Sequence, residues 1–361
     1  MKLTVEKVYR LVLLICLIIA IVSCDDKKET VEPGEDVYVV TTFAGNGLAG
    51  FENGTNLNAQ FHSPNALTVD EAGNLYVADG YNHSIRKIDP SGEVRTISGN
   101  GESGYEDGRL DNARFTNPQG VAFDLTGNLL VAEKNQIRKI STAGLVSTLA
   151  GQRDSSGFEN GSTETAQFHG IKGIVADHNG NIFVADQFNH VIRKIDQNFD
   201  VRTFAGNGLI GNENGLPEES KFNHPIDICI DQADMIYVAD KQNNLIRSIN
   251  KGGVVQIVAG SVYGYKDGAL SEAKFKNPSG IAVDNDGNII IADSQNFRIR
   301  LINKEGIVST IAGDGVKGYA NGNGLKARFG EIVDITVDHN GSIYLVDKTN
   351  HCIRKIEKNI N

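Results

Sequence analysis

Tryptophan is absent from this chain of 361 residues, and methionine (2) and cysteine (4) are scarce. Basic residues are also in the minority, because 35 Lys and Arg stand against 45 Asp and Glu, a formal net charge of −10. No basic stripe offsets this charge, so we expect no nucleic-acid partner. With 40% hydrophobic and 22% charged residues, the composition excludes a disordered chain.

An apolar run near the N-terminus is too short for a stable membrane span. Residues 11–22 carry no charge and follow Lys2, Lys7 and Arg10. A helix rises about 1.5 Å per residue, whereas the hydrocarbon core of a bilayer is about 30 Å thick. We therefore interpret residues 1–23 as a secretory signal peptide.

The end of this run indicates where the protein resides. Ile21-Val22-Ser23-Cys24 resembles a bacterial lipobox, in which the cysteine is acylated and becomes the mature N-terminus. The acidic pair that follows resembles surface-export signals of Bacteroidetes-type lipoproteins. We expect an outer-membrane lipoprotein, periplasmic or surface-exposed, held by lipidated Cys24 through a flexible polar tether at 24–36. An ordinary secretory signal with an incidental cysteine is the alternative.

The four cysteines do not predict a disulfide framework. Cys16 lies in the signal peptide, and Cys24 is the predicted acylation site. Cys229 and Cys352 lie in different, non-adjacent repeats of the chain, so we expect both to be reduced and buried.

Internal repetition is the strongest signal in the sequence. A phenylalanine and an acidic residue each recur every 53 or 54 residues, and an arginine follows each acidic residue. These three columns predict six copies of one structural unit. The columns are Phe61, Phe115, Phe168, Phe222, Phe275 and Phe329; Asp79, Glu133, Asp186, Asp240, Asp293 and Asp347; and Arg86, Arg138, Arg193, Arg247, Arg300 and Arg354.

Each unit contains the pattern of four short strands. In the fifth unit we predict strands a to d at 280–284, 289–292, 298–302 and 307–312, joined by turns rich in Asp, Gly and Asn. Strands a and b are almost entirely apolar, which predicts burial on both faces. Strand c alternates apolar residues with arginine, which predicts a half-exposed strand.

Six such units predict an all-β fold, a six-bladed β-propeller with four-stranded antiparallel blades. The last unit stops after strand c, whereas Val37–Ala44 is an unpaired strand-d sequence at the start. The N-terminal strand can therefore complete the last blade and close the ring, which a linear stack would not require.

Three segments carry a family resemblance. Residues 79–86, 186–193 and 347–354 read Asp-x-x-Asn-His-x-Ile-Arg and resemble the NHL repeat, and the likeness extends over 37–358. Two other repeats lack the histidine, and the second shortens the turn. The resemblance implies a six-bladed propeller that binds proteins, glycans or RNA, with a minority of lyases and hydrolases among its relatives.

A binding site in a ring must come from residues that differ between repeats. The approaches to strand a differ most, and they converge at one mouth of the central channel. Asp227 and Asp334 place carboxylates where four other repeats have Ala or Gly. A small polar ligand or a divalent cation would suit such a site, and a hydrated channel without a specific ligand is the alternative. The candidate ligand-binding residues are His62, Asn65, Gln119, His169, Lys172, His224, Asp227, Glu331 and Asp334.

Other repeated features have structural explanations. The pattern G-x-G-x-x-G at 45–50, 99–104, 206–211 and 313–318 is followed by another turn and not by a helix, so we expect positive-φ loop positions and no nucleotide site. We interpret the acidic and arginine columns as a repeated, exposed ion pair or turn hydrogen bond, with a catalytic acid and electrophile as the alternative. Aromatic residues recur at one loop position, and we expect them to pack the loops instead of stacking on sugars. These are Phe51, Tyr105, Phe158, Tyr265 and Tyr319, with Asn212 in the remaining repeat.

We therefore expect a monomeric, membrane-anchored NHL-type propeller that binds a glycan, a small polar ligand or a protein outside the cytoplasm. The sequence contains no recognisable catalytic triad and no three-ligand metal set, so we predict no catalytic residue and no resident cofactor. The alternative is a propeller enzyme, a lyase or hydrolase with its site at the channel mouth.

Overall fold

The computed structural model describes residues 37–359, which form six antiparallel sheets arranged as the blades of a propeller. The blades are numbered 1 to 6 in the order of Phe61 to Phe329. Strand a is innermost in every blade, and each strand a contacts strand a of both neighbouring blades. The signal peptide, Cys24 and the tether predicted from the sequence lie outside the described residues.

The four main strands follow the predicted order a, b, c, d from the axis outward. Strands a are Ala66–Val69, Gly120–Phe123, Ile171–Ala176, Pro225–Ile230, Gly280–Val283 and Ile332–Val337. Strands b are Leu75–Asp79, Leu129–Glu133, Ile182–Asp186, Ile236–Asp240, Ile289–Asp293 and Ile343–Asp347. Strands c are Ser84–Ile88, Gln136–Ile140, Val191–Ile195, Leu245–Ile249, Arg298–Ile302 and Cys352–Asn359. Strands d are Glu93–Ser98, Leu145–Gly151, Asp200–Ala205, Val255–Ala259 and Ile307–Ala312, and Val37–Ala44 for blade 6.

Five blades have a fifth strand that the sequence did not predict. Two residues of the loop before strand a pair with the outer edge of strand d, because an open strand edge offers unpaired backbone groups. Blade 4 has only an isolated bridge here, between Gly215 and Val255. The short strands are Gly54–Thr55, Gly108–Arg109, Gly161–Ser162, Gly268–Ala269 and Gly322–Asn323.

Helical structure among residues 37–359 is confined to single 3₁₀ turns, most of them between strands b and c, and no helix there is long and apolar enough to cross a membrane. The turns are Asn56–Asn58, Gly80–Asn82, Gln187–Asn189, Lys241–Asn243, Ser294–Asn296, Gly324–Lys326 and Lys348–Asn350.

The ring closes as predicted. Val37–Ala44 pairs antiparallel with Cys352–Asn359, with Val40 opposite Ile356. The sixth sheet therefore joins the first strand of the propeller to its last, and Val40 is completely buried.

The hydrophobic core is divided into six clusters, each between two neighbouring blades. The repeated phenylalanines are all completely buried in these clusters. Cys229 and Cys352 are buried and free, as expected. Strand c departs from prediction, because Arg300 is completely buried while Leu301 is only partly buried.

Long loops and b–c turns lie on one face of the propeller, here called the loop face. Asn82, in the b–c turn of blade 1, donates to the Gly50 carbonyl of the preceding loop. The glycine pattern in that loop supplies positive φ at Gly45 and Gly47, as expected. The a–b turns lie on the opposite face.

Candidate binding cavity at the propeller axis

The innermost strands surround a cavity of about 260 Å³ at the propeller axis. Six of the nine candidate residues line it, and so do two lysines that the sequence analysis missed, Lys241 and Lys348. The six candidates in the lining are Asn65, Gln119, Lys172, Asp227, Glu331 and Asp334.

The three candidate histidines lie outside the cavity lining. His62 packs edge-on against Tyr81, with ring centroids 5.2 Å apart. His169 and His224 both contact Phe188, at 5.0 and 5.4 Å between centroids. His62 also packs against His351, in a group separate from the one around Phe188. His224 lies near the cavity lysine Lys241, and burial together with the charge of Lys241 lowers the pKa of His224.

Three elements bring the lysines together. Lys172 is the second residue of strand a in blade 3, whereas Lys241 and Lys348 each begin the turn after strand b, in blades 4 and 6. Lys348 Nζ donates to Asn65 Oδ1 at 2.8 Å. Asn65 is buried and its amide donates to the Pro118 carbonyl, which fixes the acceptor that holds Lys348.

Burial and mutual repulsion act on all three ammonium groups. Burial, together with the charges of Lys348 and Lys241, lowers the pKa of Lys172 to about 8. Burial likewise lowers the pKa values of Lys241 and Lys348, and in all three cases the nearby carboxylate of Glu331 opposes the shift. Among residues 37–359, no carboxylate lies within 4.0 Å of the ammonium of Lys172 or Lys241.

Asp227 and Asp334 join neighbouring blades. Asp227 accepts from the backbone N–H of Ile281 in blade 5 at 2.8 Å, and Asp334 accepts from that of Leu67 in blade 1 at 2.8 Å. Each also accepts from the residue that follows it. Gly280 lies between them, and a Cβ there would approach the Asp334 Cα to 2.8 Å.

These two carboxyl groups bind a proton readily. Burial raises the pKa of Asp334 to about 7, and burial together with the charge of Asp334 raises the pKa of Asp227. Because Asp227 and Asp334 each accept a hydrogen bond from a neighbouring blade, removing both side chains would disturb blade packing as well as the cavity. In the part of the chain that the structure describes, no three His, Cys, Asp or Glu side chains converge as a metal site.

The repeated arginines form ion pairs as predicted, but the predicted exposure of these pairs is wrong. Arg86 and Asp79 are completely buried, with Nη1 2.8 Å from the carboxylate. The guanidinium also donates to two backbone carbonyls, and it lies between the rings of Phe51 and Phe61. Hydrogen bonds from both Nη atoms make this burial tolerable, and losing one partner of such a pair costs about 3–5 kcal/mol.

The loop aromatics cover these arginines, which confirms that they pack the loops. Arg138, for example, lies 4.7 Å from the Tyr105 ring centroid, and Arg354 lies 4.8 Å from that of Tyr319. These contacts recur in five blades, so the aromatic residues belong to the scaffold.

Comparison with known proteins agrees with this architecture. The NHL repeat family model matches residues 61–88, and the Teneurin NHL domain model matches residues 264–321. Protein SUPPRESSOR OF QUENCHING 1, chloroplastic, of Arabidopsis thaliana is 29% identical over 320 residues, 82% of this chain and 30% of that protein. NHL repeat-containing protein 2 of Homo sapiens is 26% identical over 336 residues, 81% of this chain and 46% of that protein. The chain thus spans less than half the length of these curated relatives.

Solved structures share the fold. An auxiliary nutrient binding protein from Bacteroides thetaiotaomicron superposes with a TM-score of 0.68 at 17% identity, over 90% of this chain and 77% of that one. Streptogramin B lyase superposes with a TM-score of 0.56 at 17% identity, over 90% and 98%. The class that fold and repeats define is the six-bladed β-propeller. Within that class, the family models identify NHL-type sequence at residues 61–88 and 264–321.

Proposed function

We propose that this protein is a binding module that takes a small polar ligand into the central cavity of the propeller. The observation that carries this proposal is the convergence of Lys172, Lys241 and Lys348 on that cavity. Residues shared by all blades build the scaffold, whereas these lysines stand at positions whose residues differ between blades. Propellers of similar fold called nutrient binding proteins support a binding role.

A ligand panel with a blocking variant tests this function. Gln119→Trp places a bulky side chain in the cavity lining, whereas Gln242→Trp is a matched control at an exposed position of the loop face. We expect at least one class among neutral sugars, acidic sugars and small organic acids to raise the melting temperature of the wild type. Ligand at a hundred times its Kd stabilises by about 2.7 kcal/mol.

The control should respond as the wild type does, and Gln119→Trp should not respond. An unchanged response in Gln119→Trp would place the ligand elsewhere, and no response to any class would contradict the proposed function.

The same proteins distinguish binding from catalysis. Lys172, whose pKa is about 8, is a cavity group suited to acid–base chemistry in the alternative of a lyase or hydrolase. We expect a bound ligand to be recovered unchanged after incubation. A product that forms with wild type and is lost in Lys172→Met would favour the enzyme.

We also propose that the propeller acts outside the cytoplasm, anchored in the bacterial outer membrane through acylated Cys24. The lipobox-like residues before Cys24 support this location. Cys24→Ser should abolish incorporation of labelled fatty acid and leave the protein unprocessed or soluble. Cys16→Ser is the matched control and should remain membrane-bound. Labelling of Cys24→Ser at the wild-type level would refute the anchor.

A further inference from the structure

The cavity lining is strongly asymmetric in charge within a protein of net charge −10. Three ammonium groups face the single carboxylate of Glu331 near the loop face. The other two carboxyl groups in the lining, Asp227 and Asp334, lie one position further along their strands than the residues equivalent to Lys172. Their oxygens already accept four backbone hydrogen bonds, so they are poorly placed to neutralise the lysines.

The lysines are also available to a ligand. Lys348 is held in place by Asn65, while Lys172 and Lys241 donate no hydrogen bond to any residue in the range 37–359. Gln119 also lines the cavity, and its side-chain amide donates to the Asn117 carbonyl. The cavity therefore offers one donor held in position, Lys348, and two donors without a partner among residues 37–359, Lys172 and Lys241. A few polar groups around a small space are the usual features of a polar ligand site.

Assembling these charges costs free energy in the empty protein. Each ammonium is partly buried, and those of Lys241 and Lys348 repel that of Lys172. An oxyanion would replace this repulsion by attraction and would accept charge-assisted hydrogen bonds, which are stronger than neutral ones. The volume of about 260 Å³ is at the small end for ligand pockets, typically about 300–1,000 Å³, and limits the occupant to a small molecule or the end of a longer one.

We propose that the cavity selects a small anionic ligand, whose carboxylate or phosphate group is bound by Lys172, Lys241 and Lys348. This inference rests on the proposed binding function and names the chemical class of its ligand. The negative charge of the neighbouring Glu331 repels an anionic ligand and so lowers its affinity. A substitution that removes this charge should raise the affinity.

Calorimetric titration of the full chain in detergent at pH 7 tests the inference with matched probes. D-Galacturonate and D-galactose share a sugar ring and differ in the carboxylate, while galactose 6-phosphate and inorganic phosphate supply the other oxyanion. We expect at least one anion to bind ten times more tightly than galactose. Comparing galacturonate with the two phosphate compounds then shows whether the cavity prefers a carboxylate or a phosphate group.

Variants assign the binding to the lysines. Lys172→Met and Lys241→Met should each weaken anion binding about tenfold or more, because a hydrogen bond to a charged group contributes about 1.5–3 kcal/mol. Lys134→Met, an exposed lysine outside the cavity lining, should leave the affinity unchanged. Glu331→Gln should tighten anion binding, a gain that misfolding cannot produce.

Failure of the inference can be told apart from failure of the proposed function. Galactose binding that equals anion binding and is insensitive to the lysines would overturn the anion class but retain a binding module. If no anion binds, the inference is also wrong. If no probe binds, and the wider panel above also gives no response, the binding function fails with it.

Discussion

The repeated buried arginines differ between blades in whether the Nε atom has a hydrogen-bond acceptor. In blades 2 and 5, Asp107 and Asp267 accept from the arginine Nε as well as from Nη2. The other four blades have asparagine there, which accepts only from Nη2. In those blades the buried Nε has no hydrogen-bond partner; the atoms are those of Arg86, Arg193, Arg247 and Arg354.

Exchanging these two side chains should change stability in opposite directions. Asp107→Asn should destabilise the fold by about 1–3 kcal/mol, because the Nε of Arg138 loses its acceptor. Asn53→Asp in blade 1 should stabilise it, since it offers an acceptor to Arg86. Denaturant unfolding measures both. A destabilised Asn53→Asp protein would show that the additional carboxylate costs more than the missing hydrogen bond.

Lys172 should make stability depend on pH in the alkaline range. Its pKa is about 8 in the folded protein against 10.5 ordinarily, so between these values the unfolded chain binds more protons. Stability therefore rises with pH from about 8 to 10.5. Lys172→Met should reduce that slope in melting curves, and Lys134→Met should not. Equal slopes in all three proteins would refute the assigned pKa.

In blades 1, 3, 4 and 6, the residue after the b–c turn links its blade to the next one. His83 Nδ1 accepts from the backbone N–H of Asn117 at 3.0 Å, and His351 and His190 do the same for the blades that follow them. In blade 4, Asn244 replaces the histidine, and its Oδ1 accepts from Asn277 at 2.9 Å. The histidine of the repeat is thus a structural link, for which asparagine is a natural substitute.

These links should weaken in acid. Burial lowers the pKa values of His83, His190 and His351 below the ordinary 6.5, so the unfolded chain takes up protons first and stability falls as pH drops through about 6.5. Replacing all three by asparagine should remove this loss while keeping the links. Melting curves at pH 7 and 5 measure the difference between variant and wild type.

That comparison is necessary because other groups titrate in the same range with the opposite sign. Burial raises the pKa of Asp240 to about 6, which favours the folded state as pH falls. An acid response identical in the wild type and the triple variant would contradict the assigned role of the histidines.

The N-terminal strand should be essential to the ring. Deleting 37–43 removes Val40 from the core and exposes the edge of Cys352–Asn359, so we expect a large fall in melting temperature. Deleting 25–35 should have almost no effect. Equal melting temperatures for the two deletions would contradict closure by this strand.

For the whole molecule, repetition made the architecture predictable. Three residue columns and the unpaired first strand sufficed for six blades and their closure. Burial of the arginines was not predictable from alternation alone, because it depends on carbonyl groups and rings from loops distant in sequence. Phe51 and the Glu52 carbonyl reach Arg86 only in the folded blade.

The cavity was predictable in part. Residues that break the strand-a pattern identified one wall, but Lys241 and Lys348 begin turns that we interpreted as scaffold. Comparing the first residue of each turn would have pointed to lysine in blades 2, 4 and 6, since Gly80, Gln187 and Ser294 occupy that place in the other blades. Only the structure separates Lys241 and Lys348, which line the cavity, from Lys134, which does not. The three candidate histidines lie outside the cavity lining. Where such a side chain points depends on local backbone geometry, such as the positive φ of His224, which the sequence does not reveal.

A crystal structure grown with selenate tests the central claim most directly, because selenium locates an oxyanion through its anomalous signal. We expect a peak in the axial cavity, placed so that oxygens of the selenate lie about 3 Å from the ammonium groups of Lys172 and Lys241. The peak should be lost in Lys172→Met and retained in Lys134→Met. Selenate bound only to exposed lysines, with an empty cavity in the wild type, would contradict the account.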